Sequence, residues 1–215
     1  MTPQRQVRAS RQRTRTAPPR CAAYAVCSEL VASPDEFDPR TQLRARTSLG
    51  NELDYTSALD AMVLEIGTSD LERLRADYSN LFEIGNDGPP LSIREHLARG
   101  DHGGTREEVV RYYEHFGYSL GERHAWQPDH LSVQLEFMHF VCFRESQASR
   151  EAQALPFQLA QIDFTERHLA TWLPDLAARV ASLAPGSVYG RAVAAVAEFV
   201  AADQAWQQTT IEHLT

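Results

Sequence analysis

The sequence predicts an all-α fold: a single globular helical bundle behind a disordered N-terminal tail. Three observations carry the prediction. Apolar residues recur at three- and four-residue spacing along most of the chain, helix-start and helix-stop signals alternate at helix-length intervals, and no turn-bounded run has the two-residue period of a strand. With 215 residues, 43% hydrophobic and 23% charged, the chain is long enough for one domain of ordinary size.

Residues 1–20 contain Arg5, Arg8, Arg11, Arg13, Arg15 and Arg20 and no acid. With little apolar surface to pack, this stretch is expected to be a disordered basic tail, and residues 21–215 the folded domain. The tail has neither an adjacent arginine pair nor an apolar h-region, so it does not read as a secretory signal. Cys21–Val31 is an Ala-rich apolar segment that ends before Ser33-Pro34. Asp54–Ile66 has helical spacing through Leu59, Met62, Val63 and Ile66. Ser69 and Glu72 have capping-box spacing and open a stripe through Leu71, Leu74, Tyr78, Leu81 and Phe82. Gly85-Asn86-Asp87-Gly88-Pro89-Pro90 then breaks the helix.

Two further capping boxes follow, Ser92 with Glu95 and Thr105 with Glu108. The second opens a helix through Val109, Tyr112, Tyr113 and Phe116, with Gly117 as the residue that ends it. A polar connector, Tyr118–Gln127, leads into Pro128-Asp129-His130. The helix expected from there to about Ala152 is apolar around most of its circumference, which marks it as central. Phe157–Leu173 reads as amphipathic, with Pro174 near the first position of the next helix. Pro185-Gly186-Ser187 precedes a last helix from Val188 to about Gln207. No apolar run, Ala192–Ala197 included, approaches the roughly 18 residues of a membrane span.

Composition excludes several chemistries. All 21 basic residues are Arg, and without Lys there is no P-loop, Schiff-base or Ser-Lys mechanism. Three cysteines, Cys21, Cys27 and Cys142, form no CxxC pair, and an odd count speaks for reduced thiols rather than a disulfide scaffold. Outside the tail, 15 Arg face 29 Asp and Glu, a formal charge of −14; such a body repels nucleic acid and favours cationic partners. No HExxH, zinc-finger spacing, GxGxxG or nucleophile elbow occurs. His124, His130 and His139 stand six and nine residues apart, which does not bring all three to one helix face. No metal site or cofactor is therefore expected.

One constellation stands apart, at the junction of the connector and the central helix. Asp129 suits a helix N-terminus, where the macrodipole favours a carboxylate by ~0.3–1 kcal/mol. A neighbouring His can be oriented by that carboxylate or donate to an incoming backbone. On spacing alone, a helix cap with a surface His is the stronger reading. The full string Pro128-Asp129-His130-Leu131-Ser132-Val133-Gln134-Leu135-Glu136-Phe137-Met138 resembles the signature of the TorD/DmsD/NarJ family of molybdoenzyme chaperones. Leu81-Phe82 with Gly88-Pro89-Pro90, Tyr112-Tyr113 to Gly117, and Phe164 through His168-Leu169 and Trp172 to Pro174 resemble its flanking blocks, in order. Gln134 stands where many members carry Glu, which removes one carboxylate from the motif.

The resemblance implies a cytoplasmic, non-enzymatic chaperone. Its partner would be the apo catalytic subunit, with its twin-arginine type signal peptide, of a molybdopterin enzyme related to dimethyl-sulfoxide reductase, in the nitrate, selenate, chlorate or dehydrogenase branch. It further implies peptide binding by Asp129 and His130, with Leu81, Phe82, Pro89 and Pro90 as one wall and Tyr113 and Trp126 nearby. Pro128, Leu135, Glu136, Phe137 and Met138 would be motif residues packed in the core. A monomer or a domain-swapped dimer hinged at 118–127 is implied, with no cofactor, membrane span or nucleic acid. Two alternatives rest on single features: a helical metal-dependent hydrolase using Asp129 and His130, and a nucleic-acid-binding regulator using the Arg-rich tail.

Overall fold

A helix that is apolar almost all round needs neighbours on every side. Leu131–Gln147 meets that condition, burying Leu131, Val133, Leu135, Phe137, Met138, Val141 and Cys142. The computed structural model describes residues 11–36, 38–44, 49, 53–85, 88–100, 103–121 and 126–211. In chain order its helices are α1 (Arg13–Leu30), α2 (Pro39–Arg44), α3 (Ser57–Thr68), α4 (Leu71–Phe82), α5 (Glu95–Ala98), α6 (Thr105–Phe116), α7 (Leu131–Gln147), α8 (Glu151–Phe164), α9 (Ala170–Leu183) and α10 (Val188–Ile211). A π-helical turn, Thr165–Leu169, joins α8 to α9. The central helix α7 packs along α1 on one side and α8 on another, while α10 packs against α9, α3 and α4. One apolar core runs through the bundle and includes Tyr24, Leu59, Leu74, Tyr113, Phe137, Phe164 and Phe199. Among the described residues there is no strand; an isolated bridge joins Arg94 to His130. No described helix is long and apolar enough to cross a membrane.

The all-α reading holds, and several local readings shift. Residues 11–20, expected within the disordered tail, are described, and α1 begins at Arg13; residues 1–10 lie outside the described residues. Pro18 and Pro19 remove two N–H donors inside α1, so the start of this helix depends on tertiary contacts. Arg11 donates to both carboxylate oxygens of Glu145, at 2.7 and 2.9 Å. Arg20, fully buried, binds Asp203 with two parallel bonds of 2.6 and 2.8 Å, the bidentate geometry that a guanidinium offers a carboxylate. Tyr24 and Tyr55 also donate to Asp203, at 2.7 and 2.9 Å. The indole of Trp206 covers both guanidinium groups, at 5.2 and 4.8 Å.

Each expected capping box is displaced. Asp70, not Ser69, caps α4 by accepting the Arg73 N–H at 3.0 Å, and Ser69 donates back to Glu65 O. Gly104, at φ 109°, takes the cap position before α6, and Glu107 accepts its N–H at 3.1 Å. Ser92 is engaged with the Arg94 backbone, and Glu95 turns into the interior. Gly117 ends α6 at φ 72°, as its position predicted. The central helix stops at Gln147 rather than Ala152. Pro174 lies inside α9 one turn after the π turn, so residues 151–183 form one helical rod in place of two helices.

Candidate functional site

The junction between connector and central helix is built by two short crossings of backbone. Leu131 N–H donates to Ile93 O and Glu95 N–H to Asp129 O, both at 3.0 Å. These bonds hold the segment before α5 beside the start of α7, and they fix Asp129 and His130 relative to both helices.

Asp129 is fully buried. Its Oδ2 accepts the His96 backbone N–H at 2.9 Å and lies 2.5 Å from His96 Nδ1, so it caps the first turn of α5 across 33 residues of sequence. Its Oδ1 makes no hydrogen bond and lies 3.8 Å from Arg106 Nε. Arg106 in turn donates to Trp126 O at 2.7 Å, and Tyr113 donates to Pro128 O at 2.8 Å. The connector is thus tied down at both ends of Trp126-Gln127-Pro128.

His130 caps α7. Its Nδ1 accepts the Ser132 N–H at 3.2 Å, so in the neutral ring Nε2 carries the proton. That N–H donates to Tyr78 Oη at 3.1 Å, which leaves the Tyr78 hydroxyl proton for another acceptor. Burial, reinforced by the charge of Glu83, pushes the Tyr78 phenol well above its ordinary pKa, so the hydroxyl stays protonated.

A cavity of about 290 Å³ opens here. His130, Tyr78, Phe82 and Pro89 line it together with Trp126 and Arg94; Ser33 and Glu36, beyond α1, and Glu83, at the end of α4, complete the wall. Trp126 is 60% exposed, high for a side chain of that size, and Arg94 Cζ lies 5.7 Å from its ring centre. The chemistry on offer is an aromatic face, a phenol donor and two carboxylates, which suits a basic side chain on an extended segment.

The family model described as nitrate reductase delta subunit matches residues 47–178. The chain belongs to this family, the TorD/NarJ chaperone family. Three relatives sharpen the position. A chlorate reductase assembly chaperone from Ideonella dechloratans is 41% identical over 112 residues, covering 51% of this chain and 58% of the relative. A selenate reductase assembly chaperone from Thauera selenatis is 39% identical over 134 residues, covering 61% and 68%. The chaperone TorD from Vibrio cholerae is 33% identical over 76 residues, covering 35% and 34%. The chain therefore spans from a third to two thirds of the length of these relatives. No solved structure matches the chain.

The TorD/NarJ signature is divided by the fold between cavity, support and core. Phe82, Pro89, Trp126 and His130 share the cavity. Asp129 and Tyr113 are buried behind it. Leu81, packed in the core, and Pro90, exposed outside the cavity, do not line the wall expected of them. Pro128, Leu135, Phe137 and Met138 are buried. Glu136 is not a core residue. It is exposed beside Tyr118 and borders a separate cavity of about 620 Å³ between α1 and α7, because its place on α7 turns away from the bundle axis.

Sequence reasoning missed Tyr78, Glu83, Arg94, His96 and Arg106. Tyr78 carried a signal, since its position in the α4 stripe next to Phe82 predicted burial, but nothing local pairs it with His130. It also missed the role of Glu95, read as a capping residue. Glu95 is fully buried and gathers Gln134 Nε2 at 2.5 Å, His168 Nδ1 at 3.0 Å and Arg99 at 2.8 Å. Gln134 thereby acts as a neutral donor where a second carboxylate would face Glu95. Among the described residues, no group of three or more His, Cys, Asp or Glu side chains is placed to hold a metal ion.

Proposed function

We propose that this protein is a cytoplasmic, non-catalytic assembly chaperone for the catalytic subunit of a molybdopterin oxidoreductase. The client would be of the oxyanion-reductase kind for which its relatives are named. In this reading the chaperone holds the client's leader and apo form until cofactor insertion, and releases them for export or assembly. The leader enters at the His130 cavity: its basic end meets Trp126, Glu36 and Glu83, and its backbone accepts from Tyr78. Asp129 is a positioning residue, since it is buried against His96 and does not line the cavity.

The observation that carries this reading is the His130 cavity itself. The family signature ends there in a small aromatic and acidic recess. The acidic balance of the folded body adds a long-range attraction for a basic leader. The test is affinity capture of the tagged protein from its native host under respiratory growth, followed by mass spectrometry. The expected result is a molybdoenzyme catalytic subunit retaining its leader, absent from captures made with a His130→Ala, Trp126→Ala double variant. Capture of the mature, cofactor-loaded enzyme instead would make the protein a resident subunit and overturn the reading.

A further inference from the structure

The His130 cavity already holds a guanidinium group, and it is the protein's own. Arg94 is fixed at its backbone by the bridge to His130 and by two contacts with Ser92 Oγ. Its side chain, by contrast, makes no hydrogen bond or ion pair among the described residues; its contact is the face of Trp126 at 5.7 Å. Glu83 lines the same cavity, yet the hydrogen bond it accepts is from Ser33 Oγ at 3.4 Å, and it forms no ion pair with Arg94. A cation resting on an aromatic ring, with a carboxylate left over in the same recess, is an arrangement that another guanidinium can enter by exchange. A single such stack is worth only ~0.5–1 kcal/mol at an exposed position, so the internal contact is weak enough to displace.

We propose that Arg94 is a displaceable internal occupant of a guanidinium site formed by Trp126 and Glu83, and that an arginine of a basic partner segment replaces it on the ring. The proposal rests on the leader-binding reading for the identity of that segment. Arg94 then acts as a selectivity element. It opposes weakly cationic segments by charge repulsion and competition, and yields to a segment that brings enough positive charge and apolar contact to replace it. Removing the Arg94 side chain vacates the ring and leaves the recess one charge more negative, so a basic peptide should bind tighter to the variant than to the natural protein.

The experiment titrates two synthetic peptides into the full chain and follows Trp126 fluorescence, with Trp126→Phe as the signal control. One peptide carries two adjacent arginines followed by an apolar stretch; the other has both arginines replaced by citrulline, which keeps the shape and loses the charge. Arg94→Ala and Arg94→Gln are expected to bind the arginine peptide about 3- to 10-fold more tightly than the natural chain, with the gain shrinking as salt rises. Glu83→Gln is expected to weaken binding, and the citrulline peptide to show no gain in either Arg94 variant. Circular dichroism confirms that both variants fold. Unchanged or weaker arginine-peptide binding in both Arg94 variants, with the natural chain binding normally, overturns this proposal and leaves the leader reading standing. Equal binding of both peptides does the same. Failure of the natural chain and both variants to bind either peptide overturns the leader reading, and this one with it.

Discussion

At the start of α7 a single imidazole closes one helix and opens one wall of a cavity. Nδ1 of His130 satisfies the Ser132 N–H and Nε2 reaches Tyr78, so the two functions separate by substitution. His130→Asn keeps a short side-chain acceptor for the cap and loses the reach to Tyr78. It is expected to stay within about 1 kcal/mol of the natural stability while its affinity for a leader peptide falls several-fold. His130→Ala removes both and is expected to cost about 1–2 kcal/mol more. Urea unfolding and peptide titration of the pair read the two effects, and equal loss of stability in both variants would refute the cap assignment. Trp126→Ala, at an exposed position, is expected to lower affinity with no measurable change in the unfolding midpoint. The Asp-His dipeptide was legible in the sequence as a signature. Its division of labour was not, because Asp129 finds His96 and His130 finds Tyr78 at separations of 33 and 52 residues.

Helix α1 shows where element-level reading reached its limit. Two adjacent prolines, five arginines from Arg5 to Arg15 and few apolar residues read locally as an unstructured leader. The segment is helical from Arg13 because Arg11 and Arg20 meet Glu145 and Asp203 from α7 and α10, more than a hundred residues away. Buried ion pairs of this kind are asymmetric in their response to mutation. Taking away one partner leaves an uncompensated charge in the core and costs about 3–5 kcal/mol, whereas replacing both by apolar residues of similar size is close to neutral. Arg20→Met is therefore expected to destabilise strongly, and the Arg20→Met, Asp203→Leu double variant to recover much of the loss. Chemical denaturation of the natural chain, the single variant and the double variant decides it. Equal instability of single and double variants would show that the contribution comes from specific hydrogen bonds with Tyr24 and Tyr55 rather than from charge compensation.

For the whole molecule, the same network sets a pH dependence. Burial by itself pushes the Asp203 and Glu145 carboxyls up. The charge and hydrogen bonds of Arg20, with the Tyr24 and Tyr55 hydroxyls, outweigh burial at Asp203 and hold it below the usual carboxylate range. At Glu145 the hydrogen bonds and charge of Arg11, joined by the charge of Arg20, do the same. A carboxylate lowered in the folded state contributes stability that is fully present above its unfolded pKa of about 4, and loses it as pH falls toward the folded value. Unfolding free energy is thus expected to hold steady near neutrality and to decline progressively below about pH 5. The decline should be smaller in the Arg20→Met, Asp203→Leu variant, which lacks one of the two groups. Urea melts across a pH series measure both slopes, and identical slopes would remove Asp203 from the acid response.

The sequence by itself determined that the chain is helical, where most helices stop, that its centre is the segment after His130, and which family signature it carries. These properties reside in local spacing: three- and four-residue apolar periodicity, Gly117 at a left-handed position, and prolines and glycines between helices. Only the tertiary structure decided that Glu95, His96 and Arg106 support the signature, that Glu136 faces away from the core, that arginines near the N-terminus are buried, and that Arg94 rests on Trp126 inside the His130 cavity. Polar partners have no periodicity to announce them. A buried charge is stabilised by whichever opposite group the fold brings within about 3 Å, and that choice is made by helix packing across the whole chain.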